Sequence, residues 1–417
     1  MLIVIIAGFA TITSPLTATV YFPLLPTLEG QFRVSAQAIN MTLTIYIIFQ
    51  AVSPAIFGPL SDTVGRQPIF LLTLAIYALA NLGMALNKHH YGLLLLLRAL
   101  QSLGASAAFA ISYGIVADVC VPSERGKTMA WVSMALNLGT CLGPIIGGLV
   151  AYLSGNIEWV FWALFIVGLL LFFIVGIFLP ETARNLVGNG SDQTERTLWQ
   201  HIRMFAAPLR IIFFPDAFLC LWINGSFYAI DYILAATVPN VFTDIYRFNT
   251  LLTGLVYLPR GIVTARKHSQ PINHVSGDNL QQFPIERARS RGTYYLLVIS
   301  TCTLLAYGWT AKYKKHFSIL LVLQFIQGFW GTCFYMIYST LLIDVFPETP
   351  STAAASASIT RCALAAIGVT TLQPFLDAAG LGWYLTALGL FSAECGTVAV
   401  HCVRQYGMRW RQQRYTL

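Results

Sequence analysis

Apolar residues in this chain fall in long unbroken runs, not in alternation. Residues 159–179 read WVFWALFIVGLLLFFIVGIFL and carry no charge. At about 1.5 Å per helical residue, such a run crosses the roughly 30 Å hydrocarbon layer of a bilayer. Similar runs predict helices over 2–25, 39–60, 68–87, 91–118, 128–153, 158–179, 213–242, 293–311, 317–345, 353–377 and 382–403. A membrane β-barrel would alternate apolar and polar positions and is excluded. One further segment, 249–265, is poor. It holds LLTGLVYLP, then Arg260, and soon afterwards Arg266 and Lys267, which puts it at the bottom of the spanning range.

The basic residues decide whether that segment crosses, because Lys and Arg collect on the inner face. With twelve crossings and an inner N-terminus, seventeen of the 25 Lys and Arg lie inside, at Arg66 and within 125–127, 184–210, 260–291 and 404–414. Six lie outside, and Arg98 and Arg361 lie within spans. Removing the poor crossing would move ten inner charges outside. Twelve crossings are therefore expected, the eighth short or distorted, with both termini cytosolic.

Composition agrees. Of 417 residues, 56% are hydrophobic and 10% charged, against about 25% charged in an ordinary soluble domain. The solvent for this surface is the lipid bilayer. The net charge of +8 is read as this topology signal, so no nucleic-acid partner is expected. All eight Cys lie in or beside apolar segments without metal-ligand spacing, so they are read as packing residues and no metal is expected. No signal peptide is visible, since the first apolar stretch is too long and lacks a basic start. Met1 sits almost directly on that stretch, so a preceding cytosolic tail is expected to be missing.

The expected organisation is a six-helix half at 1–180, a cytosolic linker at 181–212, a second six-helix half at 213–403 and a basic cytosolic tail at 404–417. In the linker Leu198, Ile202, Phe205 and Leu209 share one helical face, while Arg196, Arg203 and Arg210 share another. That pattern fits a helix lying on the anionic inner leaflet, or an ordinary soluble linker helix. The halves carry a repeat. Arg98, Gln101 and Asp118 recur as Gln324, Gln327 and Asp344 at one offset of 226. Repeated halves place a substrate path between them at the bilayer midplane.

Residues 139–148, GTCLGPIIGG, interrupt an apolar helix with Gly and Pro. Gly costs a helix about 1 kcal/mol and Pro about 3. Gly139, Gly143 and Gly147 share one face, which lets another backbone approach where lipid supplies no hydrophobic drive. Pro144 bends or loosens the helix, and Gly148 continues the motif. Between the second and third spans stands GPLSDTVGRQP, 58–68, with Asp62 and Arg66 four apart and able to pair.

These segments carry a resemblance. Gly58, Asp62, Gly65 and Arg66 resemble the loop motif of the major facilitator superfamily. LRALQSLGAS at 97–106 resembles its fourth-helix motif, and GTCLGPIIGG its fifth-helix "antiporter" motif. With SPLTATVYFPLLP at 14–26, LPETARNLVGNGS at 179–191 and FPIERAR at 283–289, nearly the whole chain resembles the twelve-span fungal drug:proton antiporters, in the quinidine-resistance and polyamine-exporter branch. The resemblance implies an all-α polytopic fold of two six-helix halves, with the eighth helix truncated. It implies that Asp62, Arg66 and Asp118 form an inner-face cluster holding one conformation shut, with Asp62 near the start of the eleventh helix. It implies that Arg98 takes part in proton coupling, and that the fifth helix packs against the other half and seals or bends during transport. The alternatives are solvated loop charges, a structural pair at Arg98 and plain helix packing. Gln67 stands where the family usually has a basic residue.

An unpaired charge at the depth of Arg98 costs at least about 2.5 kcal/mol, so it is expected to face a cavity or a partner. Gln101, one turn on, shares its face. Asp231 lies mid-span in NGSFYAIDYIL. An apolar setting favours the protonated acid, as a proton-coupled site requires, although the family is not known for an acid there. Arg361 and Glu394 are lesser candidates. Tyr21, Gln101, Asn224, Tyr228, Gln324, Tyr335 and Tyr338 are candidates to line a substrate cavity, or ordinary packing residues.

After TGLVYLPRG the family continues the eighth helix and adds a second loop motif like 58–68; here the chain goes to IVTARKHSQPINH. The leading expectation is a monomeric, proton-coupled exporter of drugs or small amphipathic metabolites in the plasma membrane, driven by the proton gradient without a bound cofactor. The alternatives are a non-transporting sensor, an inactive truncated product, and an organic-acid exporter using Arg98 and Arg361 as anion partners. No nucleophile–base pair or metal cluster suggests an enzyme.

Overall fold

The computed structural model of the chain describes residues 2–120, 122–182, 208–258, 285–346 and 350–416. Among these residues there are helices and no strands. The elements are α1 (Leu2–Val20), α2 (Leu25–Phe32), α3 (Ala36–Val64), α4 (Arg66–Leu86), α5 (Tyr91–Val119), α6 (Pro122–Ser154), α7 (Glu158–Phe178), α8 (Pro215–Asn240), α9 (Thr250–Leu255), α10 (Ile285–Arg289), α11 (Thr293–Lys312), α12 (Phe317–Val345) and α13 (Pro350–Thr416). Nine helical stretches among the described residues are long and apolar enough to cross a membrane. The last of them, Ala355–Arg414, is two helices, because Gly380 inside α13 has φ 75° and ψ 163°. That left-handed conformation breaks the helical ladder where the sequence pattern left a gap between spans.

The exterior is apolar. Ile166, Leu170, Phe173 and Ile177 of α7 are exposed, as lipid contact requires and water would not tolerate. The interior is stitched by interhelical hydrogen bonds. Thr11 Oγ1 donates to Ser112 Oγ at 2.8 Å. Ser14 and Ser106 share a bond of 3.1 Å, and Thr17 and Tyr77 one of 2.9 Å. In lipid such bonds and close small-residue packing replace the hydrophobic drive between helices.

Two compact units result. One comprises Met1–Phe205 with Ala235–His268, the other Ala206–Leu234 with Ser269–Leu417. The physical reason for placing 235–268 in the first unit is α9, which docks on α6. A β-carbon on Gly148 would lie 2.6 Å from the Thr250 carbonyl oxygen, and one on Gly254 would lie 2.4 Å from that of Pro144. Helix α9 has six residues, and a turn follows at Val256–Tyr257. The rest of the poor eighth segment, from 259, lies outside the described residues, as does the linker face at Leu198, Ile202, Phe205, Arg196 and Arg203. The residues read as a basic tail are helical as far as Thr416.

The repeat extends to helix bounds. Helices α5 and α12 are each 29 residues long, and the offset of 226 that relates their motifs also relates both ends.

Candidate functional site

The inner-face cluster is assembled around Arg66. Gly65 is both the last residue beyond α3 and the first before α4, with φ 122°, a conformation open to glycine. This reversal brings Arg66 back over α3. Its Nη2 lies 2.5 Å from Asp62 Oδ1 and its Nε 3.0 Å from Asp118 Oδ2 of α5. Its Nη1 donates to Ser61 Oγ at 2.8 Å, and Ser61 Oγ donates to the Gly58 carbonyl at 2.7 Å. The guanidinium sits against Gly114, where a β-carbon would lie 2.4 Å from Arg66 Cζ. These are charge-assisted bonds with little water around them, since the Arg66 side chain is 10% exposed.

Glu181, in the segment after α7, completes the cluster. Its Oε1 accepts from the Arg66 amide at 2.9 Å and its Oε2 from the Gln67 amide at 3.2 Å. A carboxylate on the first two free N–H groups of α4 caps the helix and meets the positive end of its dipole. The Gln67 side chain donates to the Gly176 carbonyl at 3.2 Å. Sequence reasoning quoted LPETARN without finding this role. The available signal was an acid just past a span, but its partner is more than a hundred residues away.

The glycine motif faces two neighbours. β-Carbons on Gly139, Gly143 and Gly147 would lie 2.8, 2.8 and 2.3 Å from the carbonyl oxygens of Ile12, Leu16 and Val20. The three-glycine face is therefore taken by α1. Pro144 and Gly148 are the members that meet α9.

Arg98 is fully buried in α5. Its guanidinium stacks 4.0 Å from the Tyr21 ring centroid and 4.3 Å from that of Tyr46. Its Nη1 donates to Gln101 Oε1 at 2.6 Å, and Gln101 Nε2 donates to Asn81 Oδ1 at 2.7 Å. Tyr21 accepts from Thr42 at 3.1 Å, and Tyr46 donates to the Ser14 carbonyl at 2.9 Å. Tyr21 and Gln101 thus belong to the packed surroundings of Arg98, which meets Tyr46 of α3, Tyr21 in the segment joining α1 to α2 and, through Gln101, Asn81 of α4. Cation–π contact and hydrogen bonding make a buried guanidinium tolerable.

The second unit has its own arginine cage. Arg361 of α13 lies 4.7 Å from the Tyr228 ring of α8 and 5.5 Å from the Tyr335 ring of α12. Asp231 reaches the same Tyr228 electrostatically and points toward Gly331, whose β-carbon would lie 3.7 Å from Asp231 Oδ1. Asn224 Nδ2 donates to Ser339 Oγ at 3.1 Å. Gln324 lies elsewhere, donating to the Tyr307 hydroxyl at 3.3 Å. Tyr338 is buried, and Glu394 is exposed. The repeat leaves a trace here, because Gln101 reaches from α5 to Asn81 of α4 as its counterpart Gln327 reaches from α12 to Ser300 of α11, donating at 3.0 Å.

A charge cluster at the end of α13 was not anticipated. Arg411 Nε lies 3.4 Å from Glu286 Oε1 of α10, with each side chain 3% exposed. Arg414 pairs with Asp216 and stacks 4.1 Å from the Phe346 ring. Burial pushes the Glu286 carboxyl above the usual carboxylate range, against the opposing pull of Arg411. All eight cysteines are free thiols. Among the described residues no His, Cys, Asp and Glu group could hold a metal ion.

The sequence pattern of the Major Facilitator Superfamily matches residues 7–266, ending where the chain leaves the drug-antiporter pattern. MFS-type transporter phiD of a fungal species is 31% identical over 460 aligned positions, covering 99% of this chain and 69% of that protein. Citrate exporter 1 of Aspergillus niger is 28% identical, covering 99% and 86%. The MFS antiporter QDR2 of Candida albicans is 28% identical, covering 94% and 85%. Among solved structures, the xylose transporter XylE from E. coli matches with a TM-score of 0.69 at 15% identity, covering 97% of this chain and 98% of that one. At that identity the likeness is one of fold.

Proposed function

The chain belongs to the major facilitator superfamily of membrane transporters, and from that premise we propose that it exports small amphipathic molecules in exchange for protons by alternating access. The observation that carries the reading is the Arg66 cluster. Three charge-assisted partners and a capped helix N-terminus join α3, α4, α5 and the segment after α7 at one end of the first unit. Such a cluster is a two-state element, made in one conformation and broken in another, and its energy biases which conformation is held. The buried Arg98 network supports a coupling role, because a cation in a dry interior is sensitive to any nearby change of charge. Export and antiport are supported by what relatives are named for, a citrate exporter and an antiporter. Under this reading the protein resides in the plasma membrane with cytosolic termini, works as a monomer and takes its energy from the proton gradient.

A second reading keeps the fold as a sensor without transport. The departure of the sequence from the family pattern after residue 261 favours it, since a carrier needs a complete wall around its path. Efflux of a substrate panel from vesicles, with and without a pH gradient, separates the two. Gradient-driven efflux of at least one compound is expected. Inserted, folded protein that moves none of them in either condition would establish the sensor.

A further inference from the structure

The two arginine cages differ in a way that bears on what is carried. Each guanidinium lies against two tyrosine rings. Arg98 is completely closed off, and its Nη1 is committed to Gln101 Oε1 at 2.6 Å. Arg361 is only partly buried, and Tyr335 beside it is 39% exposed. The Arg361 Nε is nevertheless sequestered from solvent and meets no acceptor. No carboxylate forms an ion pair with Arg361 among the described residues, whereas Arg66 has two such partners and Arg411 and Arg414 have one each. A cation inside a span, with no carboxylate partner among the described residues, is costly to keep unless an anion uses it. A planar guanidinium fork matches a carboxylate through two parallel hydrogen bonds, and flanking rings supply an apolar surface for the rest of a small organic molecule.

We propose that the Arg361–Tyr228–Tyr335 cage binds the carboxylate of a small organic anion, and that Arg98, sealed by Gln101, does not. That the anion is also a transported substrate rests on the transporter reading above. Binding does not, so the two are tested separately.

The test is equilibrium binding of radiolabelled citrate and benzoate to the full chain in lipid nanodiscs, with ethidium as the cationic comparison. Saturable binding of at least one carboxylate is expected. Arg361→Lys keeps the charge and loses the fork, and should weaken binding by about tenfold or more; Arg361→Gln should abolish it. Tyr335→Phe, which keeps the ring, should bind nearly as wild type, while Tyr335→Ala should weaken binding. Each variant is first checked for an intact thermal transition. If Arg361→Gln does not fold, the Arg361→Lys and Tyr335 pair decide the matter. Folded wild type that binds ethidium and neither carboxylate overturns the proposal and leaves the transporter reading standing. Carboxylate binding indifferent to Arg361→Lys and Arg361→Gln also overturns it. Arg361-dependent binding without transport of any compound upholds the site and overturns transport.

Discussion

A β-carbon on Gly147 would lie 2.3 Å from the Val20 carbonyl oxygen, and backbone cannot swing aside as a side chain can. This contact explains why a buried helix tolerates glycines that lower its intrinsic propensity. Gly147→Ala should therefore destabilise the protein by about 1–3 kcal/mol through overpacking, seen as a lower melting temperature in detergent. Gly92→Ala, with nothing within 4 Å of the added carbon, should leave the melting temperature unchanged or raise it. The spacing of Gly139, Gly143 and Gly147 announced a close helix contact, but three residues on one face do not name the helix that fills it. In the same way Asp62 and Arg66 could be paired from their spacing alone. The third partner, Asp118, came through the resemblance, and Gly114 could not be found at all, because its role is to leave room for a guanidinium arriving from another helix.

Helix α4 illustrates how an element depends on chain far away. Its first two N–H groups are satisfied by Glu181, so the helix start is held from beyond α7. Glu181→Ala should cost about 0.5–2 kcal/mol, the usual range for a lost N-terminal cap. Hydrogen exchange should speed up at the Arg66 and Gln67 amides and not at mid-helix. Unchanged protection there would mean the cap is dispensable. Helix bounds, by contrast, were largely legible. Apolar runs predicted the long helices to within five residues at each end, except for the start of α6, at 122 and not 128, and the end of α13, and the break at Gly380 falls between the last two. The extension of α13 to Thr416 was not foreseen, because Arg404, Arg409, Arg411 and Arg414 look like a solvated tail until Glu286 and Asp216 stand opposite two of them.

Across the whole molecule, the fold is the all-helical, polytopic major facilitator fold of two six-helix halves, in a chain whose eighth segment begins with the short docked helix α9. The second compact unit is closed by its C-terminal helix. Arg411→Leu would leave Glu286 buried without its partner and should cost about 3–5 kcal/mol, whereas Arg411→Leu with Glu286→Leu should recover most of that; melting of the two variants compares them. The pH dependence follows from the raised Glu286 carboxyl. The folded state binds more protons than the unfolded state between the ordinary carboxylate range and the raised value, so stability falls as pH rises through that window. Glu286→Gln should flatten this part of the stability profile. If the slope there is unchanged, another group sets it.

Apolar runs long enough for a bilayer and small residues at helical spacing are properties of consecutive residues. They were enough to specify a lipid-embedded helical bundle and its approximate spans, while the family came from the resemblance of the motifs at 58–68, 97–106 and 139–148. Which helix fills the glycine seam, what caps α4, why Arg98 is fully buried while Arg361 is only partly so, and what neutralises the last arginines all depend on groups brought together from distant parts of the chain. Burial and partnership are fixed by three-dimensional proximity, and no local spacing encodes it.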